Sequence, residues 1–280
     1  MTAGKWDARI ERARVLERQY PFAAEGLRFY QRLAAFQKSF YSGIVEGLAN
    51  SASLHSGSAL REPLDLTVLL PRFAEFLSLI EQFAPAPLSE AAQQVRKAGR
   101  PEWQRVLEDF WSGAAVRPSN PESAEDESDA NPLERSLAWM FLQPYAECLA
   151  VRSKPADLSS APLTCPLCGS KPVAGVLRPE GDGAKKSLVC MLCAHEWAFR
   201  RIYCPSCGEE KEPQMAFYSA PEIKHVRVDV CDTCRTYLKT VDLTKTGLAD
   251  PIVDELATVP LDLWAREHGY RKLQINLLGV

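Results

Sequence analysis

The sequence predicts an α+β protein, in which an all-helical N-terminal domain is followed by two tandem four-cysteine modules and a C-terminal helix. Apolar residues recur at helical spacing in the first half of the chain, and eight of the nine cysteines form four Cys-x-x-Cys pairs between Cys165 and Cys234. The cysteine region is also an internal repeat. We expect a helical domain over 1–151, modules over 163–200 and 201–247, and a C-terminal helix and tail over 248–280.

Composition argues against several classes of protein. Hydrophobic residues make up 46% and charged residues 25%, which is ordinary for a globular chain with a buried core. The net charge of −3 gives no strong attraction to nucleic acid or anionic lipid. The uncharged stretch Ser136–Ala146 is shorter than the roughly 20 residues of a membrane span, and the N-terminal segment lacks a signal-peptide pattern. We therefore expect no membrane partner and a reducing cytoplasmic location, where cysteines bind metals instead of forming disulfides.

An aromatic and aliphatic stripe at spacings of three and four residues predicts one helical face. Its members are Tyr30, Leu33, Phe36, Phe40, Ile44 and Leu48. We interpret the stripe as a core seam, with a groove for a partner peptide as the alternative. The Ser/Gly-rich stretch Asn50–Arg61 predicts a loop.

The next helices follow from their start and stop signals. Pro63 or Asp65 opens a helix that runs toward Phe83, and the proline-containing stretch Ala84–Leu88 ends it. Ser89–Glu90 then starts another helix, which we expect to continue through Phe110.

Residues 117–132 predict a solvated or disordered acidic loop, since they contain five acids, one base and three prolines but no large apolar residue. A last helix is expected over Leu133–Val151, with a kink at Pro144 because proline lacks an N–H. Arg152–Pro162 predicts a linker.

The cysteine region contains one small unit twice. The first knuckle of each unit reads Cys-Pro-x-Cys-Gly, and the second knuckle of each unit follows a valine, Val189 or Val230. Within each unit, the segment between the two knuckles is long enough for a hairpin that brings them together. The predicted first metal site consists of Cys165, Cys168, Cys190 and Cys193. The predicted second metal site consists of Cys204, Cys207, Cys231 and Cys234.

Two facing knuckles present four thiolates to one ion in a tetrahedral arrangement. Zinc and a single iron suit such ligands equally, so we predict two mononuclear ions per chain, either iron in rubredoxin-like modules or zinc in zinc ribbons. Gly169 and Gly208 follow their knuckles, where a positive φ is expected. Because no coordination position stays open, a hydrolytic centre is not expected. Thioredoxin-like exchange is disfavoured, since that chemistry uses one motif at a helix N-terminus.

We recognise no catalytic constellation, so we expect a protein that is not an enzyme. Cys148 lies on an apolar helix and is expected to be a buried, inert thiol. No partners are evident in the sequence for His55, His195 and His225. Residues 163–247 contain 12 Lys and Arg against 10 Asp and Glu, which is too balanced for a nucleic-acid-binding module.

The C-terminal segment predicts one helix. Asp250 serves as its N-cap and Pro251 fits its first turn. Pro260 is expected to kink this helix. The expected apolar face comprises Ile252, Leu256, Leu263 and Trp264.

The cysteine region and the segment after it resemble the formate dehydrogenase accessory protein family, FdhE. The similarity rests on CPLCGSKPVAGVL, LVCMLCAHEWAFRRIYCPSCG, VRVDVCDTCRTYLKTVDL and VDELATVPLDLWAREHGY, which together span about 163–271. The element from Cys231 to Lys239 is especially characteristic. RFYQRLAAFQ carries a looser similarity in the helical half.

The resemblance implies a cytoplasmic, non-enzymatic maturation factor, an assembly chaperone that binds the catalytic subunit of a molybdenum or tungsten formate dehydrogenase. It also implies rubredoxin-like modules whose eight cysteines are the metal ligands, with iron as an expected ion. A nucleic-acid-binding zinc-ribbon protein and a rubredoxin-type electron carrier are the alternatives. The first would bind nucleic acid in a salt-dependent way, and the second would not need the large helical domain.

Overall fold

The computed structural model describes residues 3–49, 60, 63–112, 131–153 and 162–279. The predicted loop Asn50–Arg61 apart from Leu60, the acidic loop 117–132 apart from its last two residues, and most of the predicted linker Arg152–Pro162 lie outside the described residues. His55 lies outside them as well.

Helices form the N-terminal half of the chain, as predicted. They are α1 (Ala3–Gln19), α2 (Ala24–Ala49), α3 (Leu66–Phe83), α4 (Ala86–Ala98), α5 (Arg100–Trp111) and α6 (Pro132–Arg152). Asp65 opens α3, because its carboxylate accepts a hydrogen bond from the N–H of Thr67 at 3.1 Å. Helix α6 continues through Pro144. Within the described part of the chain, no helix combines the length and apolar character needed to cross a bilayer.

One helix differs from the sequence prediction. The single helix expected from Ser89–Glu90 onward is two helices, α4 and α5. The first begins earlier than predicted, at Ala86, because Pro87 fits a first turn, where its missing N–H has no partner to lose. Gly99, with a φ of 83°, separates the two helices, and Pro101 occupies the first turn of the second.

The stripe of α2 is a core seam. Its buried or partly buried members are Tyr30, Leu33, Phe36, Phe40 and Ile44, and the side chain of Leu48 lies outside the described residues. Phe141 of α6 stacks on Phe40, with the ring centroids 4.8 Å apart, and meets the ring of Phe73 in α3 at 4.9 Å. This face therefore joins three helices and is not open to a partner peptide.

The two cysteine modules share one mixed sheet. The strands of the first module are β1 (Pro172–Glu180), β2 (Gly183–Cys190) and β3 (Glu196–Ala198), and those of the second are β4 (Met215–Ala220), β5 (Ile223–Cys231) and β6 (Thr236–Asp242). Each set is an antiparallel meander, and the strand order is β3-β2-β1-β6-β5-β4, with β1 parallel to β6. The hairpins expected between the knuckles are β1–β2 and β4–β5. The repeated units are thus joined side by side along one sheet.

The C-terminal segment forms two helices instead of the single one predicted. They are α7 (Pro251–Ala257) and α8 (Val259–Glu267), and a short strand β7 (Arg271–Lys272) then pairs with β6. Asp250 caps α7 as expected, since its carboxylate accepts hydrogen bonds from two backbone N–H groups of the first turn at 3.0 and 3.1 Å.

Pro260 explains why the predicted helix is divided. It lies in the first turn of α8, where a proline needs no hydrogen-bond acceptor, so it marks a helix start and not a kink. Leu263 of α8 lies on the outer side of this helix. Its side chain is 51% exposed, so its assignment to the buried face was wrong, whereas Ile252 and Leu256 are buried.

The helical half and the sheet share one hydrophobic core, which extends along the chain from Trp6 to Leu277. Trp139 of α6 connects the two halves by donating its indole N–H to the carbonyl of Met191, just after β2, at 2.9 Å. The first cysteine module is therefore packed against the helical domain.

Candidate metal centres

Each knuckle is followed by a residue with left-handed backbone. Gly169 and Gly208 have φ values of 71° and 75°, as predicted, and Ala194 and Arg235 take the equivalent positions after the other two knuckles, with φ values of 51° and 54°. The two glycine N–H groups donate to the carbonyl of the first cysteine of their knuckles, at 2.8 and 3.0 Å. These tight turns direct both thiols of a knuckle toward one point.

The first group of four thiols lies in the interior. The Sγ atoms of Cys165 and Cys193 are 3.6 Å apart, and those of Cys168 and Cys190 are 3.3 Å apart. All four residues are buried. One knuckle precedes β1 and the other follows β2, so the β1–β2 hairpin brings the thiols together.

The second group has the same arrangement on the β4–β5 hairpin. The Sγ atoms of Cys204 and Cys234 are 3.7 Å apart, and those of Cys207 and Cys231 are 3.8 Å apart. Cys204 and Cys231 are buried, but Cys234 is half-buried and Cys207 is exposed. The repeat therefore contains one closed group of thiols and one that is partly open to solvent.

Both groups have the dimensions of a tetrahedral metal site. Four sulfurs at about 2.3 Å from a central ion lie about 3.8 Å from one another, and in each group the four sulfurs all lie within 4.8 Å. In the described part of the chain, no His, Asp or Glu joins either group. Among the described residues, none of the cysteines forms a disulfide bond. The two groups could each hold a metal ion with four sulfur ligands.

The thiols within each group differ in how readily they ionise. Hydrogen bonds from the other three cysteines of the first group lower the pKa of Cys168, whereas burial raises the pKa of Cys190. In the second group, burial raises the pKa of Cys207 to about 11. Burial also opposes ionisation of Cys234, but hydrogen bonds from Thr236 and neighbouring thiols lower its pKa to about 7. Ligation needs thiolates, so metal binding would release protons from both groups.

The region that carries these two groups matches known proteins. The profile described as "FdhE, central domain" matches residues 164–201, and "FdhE, C-terminal domain" matches residues 202–278. The crystal structure of the FdhE protein from Pseudomonas aeruginosa resembles the whole chain, with a TM-score of 0.69 at 25% identity over 99% of this chain and 96% of that one. The chain is therefore similar to FdhE proteins, both in the cysteine region and over almost its whole length. The border between the two FdhE profiles falls between the two thiol groups.

Curated FdhE relatives extend the similarity beyond the cysteines. The FdhE homolog of Aquifex aeolicus is 25% identical over 279 residues, which is 96% of this chain and 94% of the relative. The homolog of Pectobacterium carotovorum is 26% identical over 97% of this chain and 86% of its own length. The homolog of Pseudomonas aeruginosa is 40% identical over 121 residues, which is 41% of this chain and 38% of the relative.

The element Cys231–Lys239, which lies within the region matched by the FdhE C-terminal profile, connects the second thiol group to the C-terminal helices. Tyr237 donates its hydroxyl to the carboxylate of Asp262 at 2.9 Å, and the ammonium of Lys239 lies 2.5 Å from the same carboxylate and 3.1 Å from Glu255. Lys239, Glu255 and Asp262 are fully buried. Burial opposes ionisation of Asp262, but two neighbouring lysines hold its pKa below the usual value. The motif side chains thus attach β6 to α7 and α8.

His225 has partners that the sequence did not reveal. Its Nε2 lies 2.6 Å from an oxygen of Asp254, and Arg12 donates to both oxygens of that carboxylate, at 2.5 and 2.9 Å. The cluster joins β5, α7 and α1. Arg12 and Asp254 are 242 positions apart, so no local pattern could have indicated the contact.

Two other predicted residues lie outside the thiol groups. Cys148 is buried, as expected, and burial raises its pKa. His195 stacks on Trp197 with ring centroids 6.5 Å apart, and its carbonyl accepts a hydrogen bond from the N–H of Cys190 at 2.9 Å. His195 therefore positions a predicted ligand through its backbone.

Proposed function

We propose that this chain is a cytoplasmic accessory factor for formate dehydrogenase maturation, that it binds the catalytic subunit of a molybdenum or tungsten enzyme, and that it is not itself an enzyme. The observation that carries the proposal is the pair of four-thiol groups within the region that matches both FdhE profiles. Four thiolates complete a tetrahedral shell, so a bound ion has no position left for water or substrate. That donor set favours a structural or electron-transfer role over hydrolysis.

Each thiol group, on this proposal, binds one ion of iron or zinc. The ligands are Cys165, Cys168, Cys190 and Cys193 for the first ion and Cys204, Cys207, Cys231 and Cys234 for the second. In zinc-finger peptides, metal binding supplies about 10–16 kcal/mol that becomes folding energy. A knuckle that loses its ion would therefore lose its fold and any partner surface that it presents.

The charges of the sheet region support a protein partner over nucleic acid. Lys186 is only 2% exposed, and its ammonium lies 2.7 Å from the carboxylate of Asp229. Arg200 pairs with Glu210 at 2.9 Å. The two basic pairs in the sequence, 185–186 and 200–201, are thus partly neutralised, whereas nucleic-acid binding uses a concentrated basic surface.

A deletion strain tests the proposed function. We expect formate-dependent dye reduction to be lost while the catalytic subunit is still synthesised. Wild-type protein should restore activity and capture the catalytic subunit in a pull-down, whereas Cys204→Ser should do neither. Cys148→Ala is the matched control, because it removes a cysteine that belongs to neither thiol group.

Two results would contradict the proposal or redirect it. Normal formate dehydrogenase activity in a deletion strain without another protein of this type would contradict a maturation role. Capture of mainly nuclease-sensitive material would favour the nucleic-acid alternative.

A further inference from the structure

The two thiol groups differ in access although they arise from one repeated unit. We propose that the second group, Cys204, Cys207, Cys231 and Cys234, exchanges its metal ion with external thiols or chelators, whereas the first group retains its ion. The inference rests on the proposed function in one respect, namely that each group binds one ion.

The first group is covered by apolar knuckle residues and by a helix. Leu167 and Leu192, which lie inside its two knuckles, are 5% and 0% exposed. Trp139 and Gln143 of α6 donate side-chain hydrogen bonds to the carbonyl of Met191, at 2.9 and 3.2 Å. An incoming ligand would have to displace α6 from this knuckle before it reached the ion.

The equivalent positions of the second group are polar. When the cysteines of the two units are aligned, Ser206 and Thr233 stand where the first module has leucines, and Asp232 stands where it has a methionine. All three residues are exposed. Cys207 is exposed beside them and Cys234 is half-buried, so a ligand can approach this side of the group without moving a helix.

Exchange at this side involves bond breaking but no electron transfer. The metal–sulfur bond to Cys207 breaks while a bond to the incoming thiolate forms. The released Cys207 thiolate takes up the proton that the incoming thiol loses. Cys204 and Cys231 are buried and hold the ion until the remaining ligands are replaced. The fitting exchange partner is therefore a soft sulfur ligand or a strong chelator.

Timed metal release from the full-length, metal-bound protein tests this difference. The probe is 4-(2-pyridylazo)resorcinol, and the metal remaining on the desalted protein is measured by elemental analysis. We expect one of two equivalents to leave in a fast phase and the other to be retained. In parallel, iodoacetamide labelling with peptide mass mapping should modify Cys207 first and leave all four cysteines of the first group protected.

Two variants at equivalent positions of the two repeat units show which thiol group holds the fast-released metal ion and which holds the retained one. Cys207→Ser should lose the fast-released equivalent and keep the retained one, and Cys168→Ser should do the reverse. If Cys168→Ser fails to fold, the labelling map of the wild type still identifies the accessible group. Release of both equivalents at one rate, or first labelling in the first group, would overturn the inference. A chain that binds no metal would instead overturn the proposed metal binding itself.

Discussion

At the residue scale, the knuckles depend on left-handed backbone, and only two of the four positions are glycine. Ala194 takes φ of 51° after the second knuckle of the first module. A residue with a Cβ atom is strained by about 1–2 kcal/mol in this conformation. The structure thus places strain directly after Cys193, a predicted ligand.

Replacing Ala194 with glycine should therefore stabilise the first module. We expect Ala194→Gly to raise the free energy of unfolding by about 0.5–1 kcal/mol, because relief of the Cβ strain exceeds the entropy gained by the unfolded chain. Urea unfolding of the metal-bound protein measures the change. Ala216→Gly in β4 is the control and should lower stability. An equal decrease in the free energy of unfolding in both variants would show that the backbone at Ala194 is not strained.

At the scale of elements, the joint between the two modules is the parallel pair β1–β6. Gly175 of β1 lies opposite Thr240 of β6, and a Cβ atom on Gly175 would lie 2.3 Å from the Thr240 hydroxyl. That hydroxyl donates to Asp229 at 2.9 Å, and Lys186 of β2 contacts the same carboxylate at 2.7 Å. The absence of a side chain at Gly175 therefore permits the close approach of the two strands.

A methyl group at this joint should weaken the connection between the modules. We expect Gly175→Ala to lower the free energy of unfolding by about 1–3 kcal/mol through overpacking. Thr240→Ala removes the hydroxyl that the methyl group would meet. The free energy of unfolding of the double variant should accordingly fall by less than the sum of the decreases in the two single variants. Urea unfolding of all four proteins of this double-mutant cycle measures the difference. Additive losses would contradict this contact.

The Arg12–Asp254–His225 cluster joins a second set of elements and predicts a pH dependence. Burial opposes ionisation of Asp254, but hydrogen bonds from Arg12 and His225 hold its pKa below the usual value. The carboxylate therefore stabilises the fold above the unfolded pKa of about 3.9, and this contribution declines as the pH falls through the lower folded pKa.

Asp254→Asn should reveal that dependence. At pH 7 we expect a loss of about 3–5 kcal/mol, because Arg12 keeps a partly buried charge without its counter-ion. Below about pH 4 the difference from wild type should shrink, since the wild-type carboxylate becomes protonated as well. Thermal unfolding of both proteins from pH 7 to pH 3 measures the difference. A difference that stays constant with pH would contradict the pKa assignment.

At the scale of the whole molecule, the features that follow from local sequence patterns could be predicted, whereas those that depend on long-range contacts could not. The hairpins and the turns at Gly169 and Gly208 follow from short sequence signals, and so does the α2 stripe. The union of the modules through β1–β6 could not be predicted, because it pairs strands of different repeat units. Ala194 gives no sequence signal for left-handed backbone. The knuckles of the first module, CPLCG and CMLCA, contain apolar residues where those of the second module, CPSCG and CDTCR, contain polar ones. This contrast indicates a difference in solvent access only once the fold shows which elements cover each thiol group.

The central claim, that two four-thiolate groups each hold one metal ion, is tested most directly by the metal content of the full-length protein. Elemental analysis after anaerobic purification should give two ions per chain for the wild type. Cys190→Ser and Cys231→Ser occupy equivalent positions in the repeat and should each give one ion. No ion, a single ion, or four ions per wild-type chain would contradict the claim.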